Sequence, residues 1–193
     1  FLYLESDPCP DEETIFNAYR ETVKTMSGRP VIIRTLDIGA DKQVSYLDLG
    51  REENPALGLR GVRLSLASPE LFRTQLRAIC RASAYGPVSV MVPMISVPHE
   101  VLRCREILEK VQSELVAERI PFDAKMPFGI MLETPAAAVL SAELARMVDF
   151  FSVGTNDLIQ YTLAADRQNP ALSELCESGL EPVLRLVATD AEN

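Results

Sequence analysis

Glycine-rich phosphate loops, paired cysteines, long apolar runs and histidine are what this sequence has least of. Neither a GxGxxG turn nor a P-loop occurs, which removes the dinucleotide and nucleoside-triphosphate folds built on them. Cys9, Cys80, Cys104 and Cys176 have no CxxC spacing, so a dithiol redox motif is excluded. Their mixed apolar surroundings read as buried thiols of a reducing compartment, and the expected location is the cytoplasm. No apolar stretch reaches the ~18 residues of a membrane span, and Phe1-Leu2-Tyr3-Leu4 is too short for a secretory core. A soluble chain without membrane insertion is expected. Basic residues are also few, 19 Lys and Arg against 28 Asp and Glu, for a net charge of -9. Such a surface repels a phosphate backbone, which argues against a nucleic-acid partner, and an anionic substrate would need a local cluster of arginines. The single histidine, His99, lies in Val97-Pro98-His99-Glu100 beside a helix start and reads as a partly exposed capping-turn residue without a role. There is no repeat, low-complexity tract or linker, and 193 residues at 47% hydrophobic content fit one domain, or part of one, over 1–193.

What is present is an alternation of two periods. Ile15, Tyr19, Val23 and Met26 form a helical stripe over 11–26 that Gly28 stops. Val31-Ile32-Ile33 follows as a buried strand, running into a polar loop over 34–42. Ser68 and Pro69 open a helix with the stripe Phe72, Leu76, Ile79 and Cys80. Gly86-Pro87 then breaks the chain before a strand over 88–95, in which Met91 and Met94 flank Pro93 as core residues. Val101, Cys104, Leu108, Val111 and Leu115 repeat at helical spacing after Pro98, a turn follows around Pro121, and the next strand ends at Glu133. A further helix and the strand Phe150 to Val153 complete the pattern. Apolar strands alternating with amphipathic helices imply an α/β fold with a parallel sheet covered on both faces. The polar residues come after Ile33, Leu132 and Val153, at the carboxyl ends of different strands, which favours a (β/α)8 TIM-type barrel over an open sheet with one switch point.

Those strand ends suggest chemistry. Glu133 and Asp157 are hard oxygen ligands suited to Mg2+, with Mn2+ as an option, and two carboxylates leave room for water and substrate oxygens. The plain alternative for a Glu at a strand end is a solvated or salt-bridged side chain; its pairing with Asp157 favours the metal. Arg34, Arg60 and Arg167 lie in loops or at element ends, and a guanidinium fork matches phosphate and carboxylate oxygens. The backbone amides of Asn156 and Asp157 would face an anion if a helix begins there. Together these describe a site for a phosphorylated carboxylate. Arg63, Arg73, Arg77, Arg81, Arg103 and Arg105 read instead as solvated or helix-face charges, and nothing near Cys176 activates it as a nucleophile.

Four stretches carry a resemblance: Arg34-Thr35-Leu36-Asp37-Ile38-Gly39; Glu53 to Arg60; Gly129-Ile130-Met131-Leu132-Glu133-Thr134-Pro135-Ala136-Ala137; and Gly154-Thr155-Asn156-Asp157 through to Ala165-Asp166-Arg167. In this order, over nearly the whole chain, they resemble the C-terminal domain of the enzyme I family, the phosphoenolpyruvate-protein phosphotransferases of bacterial sugar uptake. The resemblance implies a (β/α)8 barrel that binds phosphoenolpyruvate and Mg2+ and passes the phosphoryl group to a histidine on a separate phosphocarrier domain, within a homodimer. By position, Glu133 and Asp157 would ligate the metal, and Arg34, Arg60, Arg167 and Asn156 would hold phosphate and carboxylate; Lys42 is a weaker candidate. The family's acceptor histidine and its proton-donating cysteine in a Gly-x-Cys-Gly-Glu motif have no counterpart here, so no catalytic residue is assigned and Cys176 does not inherit that role. The chain is expected to be a fragment lacking the first and last barrel strands, inactive alone. Pyruvate phosphate dikinase and phosphoenolpyruvate synthase share the Gly-Thr-Asn-Asp-Leu turn and are the runner-up. A metal-dependent aldolase or lyase for 2-keto acids, and a non-enzymatic dimerisation module, remain as other classes.

Overall fold

The computed structural model describes residues 2–3, 6–38, 46–47 and 50–191, with side chains described to residue 188. Helix α1, Glu12–Thr25, starts where the Asp11 carboxylate accepts the Thr14 N–H at 2.8 Å and two glutamates occupy the first turn, both favourable at the positive end of the helix dipole. Strand β1, Val31–Arg34, follows, and after a single 3-10 turn at Pro55–Leu57 come α2, Gly61–Ala67, and α3, Pro69–Ser83. Strand β2 is Val88–Val92, α4 is Pro98–Glu118 and β3 is Phe128–Leu132. The short helices α5, Pro135–Val139, and α6, Ser141–Leu144, lead to β4, Phe150–Val153, and then to α7, Thr155–Leu163. A 3-10 turn at Pro170–Leu172 precedes α8, Ser173–Ser178, and α9, Glu181–Ala191.

The four strands among the described residues make one sheet in the order β1-β2-β3-β4, every adjacent pair parallel, with Arg34 opposite Met91, Val92 opposite Ile130 and Leu132 opposite Val153. Each strand is followed by at least one helix before the next, as parallel pairing requires. The central strands β2 and β3 are almost wholly buried, whereas Ile32 in β1 and Val153 in β4 are 54% and 44% exposed. The α/β reading with a parallel sheet therefore stands.

Several expectations are corrected. The strand read over 88–95 stops at Val92, because Pro93 has no N–H for the ladder and Met94 turns into the left-handed region at φ 63. The helix α2 and the turn before it are additional to the predicted elements, and the single helix read after Glu133 is split at Leu140 into α5 and α6. Cys80 and Cys104 are buried, their thiols pushed up to about 12 by burial, but Cys9 and Cys176 are only partly so. His99 is exposed, and Glu100 does the capping, accepting the Ser96 and Val97 N–H groups at 2.6 and 3.0 Å.

The arginines of α3 depart furthest from a solvated face. The Arg77 side chain is 8% exposed; its Nε donates to Glu12 of α1 at 2.7 Å, Nη1 to Glu114 at 3.1 Å and Nη2 to Glu118 of α4 at 2.6 Å. Arg81 binds Glu12 and Glu13, each at 2.7 Å, with its guanidinium over the Phe16 ring, and Arg73 binds Glu114 at 2.7 Å. This network fastens α1, α3 and α4 into one helical layer. Arg63 is half-buried as well, closing the 3-10 turn by donating to the Leu57 and Gly58 carbonyls at 2.8 and 3.2 Å. Removing Arg77 leaves three glutamates that water can still reach, so Arg77→Ala is expected to cost about 2 kcal/mol. Arg103→Ala, whose ion pair with Glu106 is largely solvated, should cost less than about 0.5 kcal/mol. Urea unfolding of the two variants checks the contrast.

Candidate functional site

Parallel strands deliver their carboxyl ends to one edge, and the polar residues collect there. Glu133 follows β3 directly and is 1% exposed, with Oε1 accepting the Met94 N–H at 2.7 Å. The left-handed turn at Met94 directs that N–H toward the carboxylate, a strained backbone held by its surroundings. The next residue, Thr134, caps α5 by accepting the Ala137 N–H at 3.1 Å and donates to the Ile95 carbonyl at 2.9 Å. It thus ties the loop after β2 to the loop after β3. At the end of β4, a Cβ on Gly154 would lie 2.6 Å from both Cβ and Oε2 of Glu133; only glycine lets the chain pass this close. Helix α7 then starts, with Asp157 in its first turn turned inward at 7% exposure and Asn156 on its exposed side.

Arg60 joins these ends. Its Nε donates to Asp37 Oδ1 at 2.9 Å and Nη2 to Asp37 Oδ2 at 2.7 Å, while Asp157 lies at 3.4 Å from Nη1 and 3.3 Å from Nη2. Nη1 also donates to the Tyr161 hydroxyl at 3.1 Å, and that hydroxyl donates to the Ala56 carbonyl. Gly61 makes the approach feasible: it has φ 54, and a Cβ there would lie 2.6 Å from Met94 Cβ. Arg34, half-exposed, reaches the same centre by donating from Nη1 to Asp37 Oδ2 at 3.2 Å. At the end of α7, Ala164 is left-handed at φ 51 and the Arg167 N–H donates to Gln160 Oε1 at 3.1 Å.

A cavity of about 710 Å3 opens at this edge, lined among others by Asp37, Arg60, Arg63, Asp157, Tyr161 and Arg167. Of the residues anticipated from sequence, Arg60, Asp157 and Arg167 line it. Glu133 adjoins it through Met94, Arg34 is linked through Asp37, and Asn156 lies outside the lining. Lys42 lies outside the described residues. Asp37, Tyr161, Gln160 and Met94 are contributors that sequence reasoning missed. Tyr161 and Gln160 follow Asp157 by four and three positions, which puts them on one helical face, a signal that was readable. The part played by Met94 is a backbone N–H, which side-chain identity does not announce.

Burial opposes the charge on Arg60, but the Asp37 hydrogen bond and the charges of Asp37 and Asp157 outweigh it and leave the guanidinium more firmly protonated than usual. Glu133 is pushed the other way for an acid, up to about 7, by burial first and then by the like charges of Asp157 and Asp37, against the Met94 hydrogen bond. A divalent cation would relieve that repulsion, so the chemistry of the pair Glu133 and Asp157 fits a hard metal. Among the described residues no three acidic, histidine or cysteine side chains are arranged to hold one, so a cation on this pair would have to complete its shell with water and ligand oxygens.

A parallel α/β domain that gathers arginines and buried carboxylates round one cavity at the carboxyl ends of its strands is of the class whose ligand sites lie at that edge. Comparison with known proteins narrows this: residues 1–192 match the family described as the PEP-binding domain of PEP-utilising enzymes, and the chain belongs to that family. It is 50% identical over 187 residues to a phosphoenolpyruvate-protein phosphotransferase of Listeria monocytogenes, covering 97% of this chain and 33% of that protein. Proteins of the same name from Staphylococcus aureus and Lactococcus lactis subsp. cremoris are 48% and 46% identical, again with 97% of this chain and 33% of theirs covered. The chain thus spans about a third of the length of these relatives.

The raised Glu133 carboxyl has a consequence for stability. Below pH 4.5 it is protonated in both folded and unfolded states; between 4.5 and about 7 the unfolded chain has lost a proton that the fold retains. Its contribution to stability is therefore lost as pH rises through that window. In cation-free buffer, denaturant unfolding at a series of pH values should show this decline, and Glu133→Gln should flatten it. An unaltered profile in the variant would assign the titration to other groups.

Proposed function

We propose that the chain is the phosphoenolpyruvate-binding part of a phosphoenolpyruvate-protein phosphotransferase, the partner of a domain whose histidine takes the phosphoryl group. The observation that carries this reading is the Arg60 fork, gripped by Asp37 at a cavity shared with Arg167 and Asp157, in a chain of the PEP-binding family. Arg60 and Arg167, with Arg34 joined through Asp37, bind and orient phosphate and carboxylate; a part for Asn156, which lies outside the cavity lining, rests on the family resemblance alone. The arginines meet the charge that gathers on the phosphoryl oxygens as the P–O bond breaks, a stabilisation that depends on donors fixed beforehand. Glu133 and Asp157 would hold Mg2+, or Mn2+, which when bound supplies positive charge for the enolate oxygen.

The four parallel strands and their helices are one part of a (β/α)8 barrel, with residues 1–193 belonging to a single domain whose further strands lie beside β1 and β4. The intact protein is a cytoplasmic homodimer that serves a histidine-bearing phosphocarrier, and the chain alone releases no pyruvate. Among the described residues no helix is long and apolar enough to cross a membrane. The phosphotransferase names of the relatives favour this reading over a dikinase, and the arginine cluster favours it over an aldolase, whose substrate needs fewer phosphate-grade donors.

Calorimetric titration of the chain with phosphoenolpyruvate, after circular dichroism has shown it folded, tests the reading. Binding should require Mg2+ and disappear in Arg167→Ala and Asp157→Ala. A folded chain that binds nothing in the presence of Mg2+ would overturn it.

A further inference from the structure

Asp37 carries a charge of the wrong sign for an anion site and yet sits at the centre of this one. Its side chain is 2% exposed and, among the described residues, two arginines donate to its oxygens: Arg60 Nε to Oδ1 at 2.9 Å, and Arg60 Nη2 at 2.7 Å and Arg34 Nη1 at 3.2 Å to Oδ2. The other carboxylate on Arg60 behaves differently. Asp157 stands at 3.3 and 3.4 Å, beyond the ~2.7–2.9 Å of a strong charge-assisted bond. The Asp37 grip is side-on, through Nε and one Nη, and this fixes the plane of the guanidinium as well as its position. The outer donors, Nη1 to Tyr161 at 3.1 Å and to Asp157 at 3.4 Å and Nη2 to Asp157 at 3.3 Å, hold the longer bonds, and these are the ones an anion in the cavity would take over.

The geometry points to Asp37 as a positioning residue for anion binding: it fixes the Arg60 fork and tethers Arg34 beside it, so that neutralising Asp37 weakens the binding of an anion. This rests on the phosphoenolpyruvate site proposed above. Coulomb's law taken alone gives the opposite sign, because deleting a carboxylate beside an anion lowers repulsion. Fixing the fork beforehand outweighs that term, since the ligand no longer has to order a long side chain on binding. Asp37→Asn keeps the shape but brings an N–H against one of the Arg60 N–H groups, so the side-on grip is lost while bulk is conserved.

The test is a calorimetric titration of the chain with phosphoenolpyruvate and Mg2+ in four forms: native, Asp37→Asn, Arg60→Lys and the double variant. It is accompanied by NMR of the arginine Nε–H groups without ligand, and by circular dichroism of each form. Asp37→Asn should weaken binding by about tenfold or more, and should weaken it much less in the Arg60→Lys background, where only the Arg34 tether remains to be lost. The Arg60 Nε–H should exchange slowly with water in the native chain and fast in Asp37→Asn. Tighter or unchanged binding in Asp37→Asn, equal weakening in both backgrounds, or unfolding of the variant would overturn the positioning role. If the native chain binds no phosphoenolpyruvate, the substrate assignment fails separately. The Nε–H exchange then decides by itself, and protection that survives Asp37→Asn overturns the inference.

Discussion

All four strands run in one direction, and everything at the site depends on that alignment. Parallel pairing puts the ends of β1, β2, β3 and β4 along one edge, so residues from Arg34 to Arg167 are within reach of each other although the chain separates them widely. The helices do the rest from behind. Arg77, with its glutamates from α1 and α4, locks the outer layer against α3, and a rigid layer is what allows side chains at strand ends to be held to fractions of an ångström.

At that edge the molecule keeps charges of both signs in a half-dry space. Arg60 is held by two acids of unequal grip, and Glu133 is crowded by like charges while taking a single hydrogen bond from a strained Met94 backbone. Neither arrangement contributes much to folding. Buried ion pairs roughly break even against apolar packing, and a buried acid with a raised titration point works against the fold near neutrality. Their value lies in fixing donors in advance and in leaving acids that a cation and an anion can satisfy together. The close passages at Gly61 and Gly154 serve the same end, since a side chain at either would push Met94 or Glu133 out of place.

The legibility of these features in the sequence follows the range of the interactions involved. Helix α1 was readable from its stripe, and β4 from an apolar run ending in a turn, because both signals are local. The end of β2 was misread: Met94 looked like core by hydropathy, and its side chain is indeed buried, but its φ and its bond to Glu133 are set by β3. Arg77 looked like one helix-face charge among several, since its three partners lie on two other helices. Asp37 stood inside a motif and escaped notice, because a carboxylate near arginines gives no hint of which guanidinium atoms it grips.

The sequence by itself determined the residue types and their order: apolar strands and amphipathic helices in alternation, acids and arginines immediately after the strands, and four motifs long enough to carry a family resemblance. Those are properties of neighbouring residues, set by steric preference, hydrophobic period and the chemistry of each side chain. Only the tertiary structure decided which of these groups meet. It made Arg60 the common partner of Asp37, Asp157 and Tyr161, set Glu133 behind Gly154, and left Asn156 outside the cavity. Such pairings depend on strand register and on helix rotation of a few degrees, which the packing of the whole sheet and its helices fixes at once.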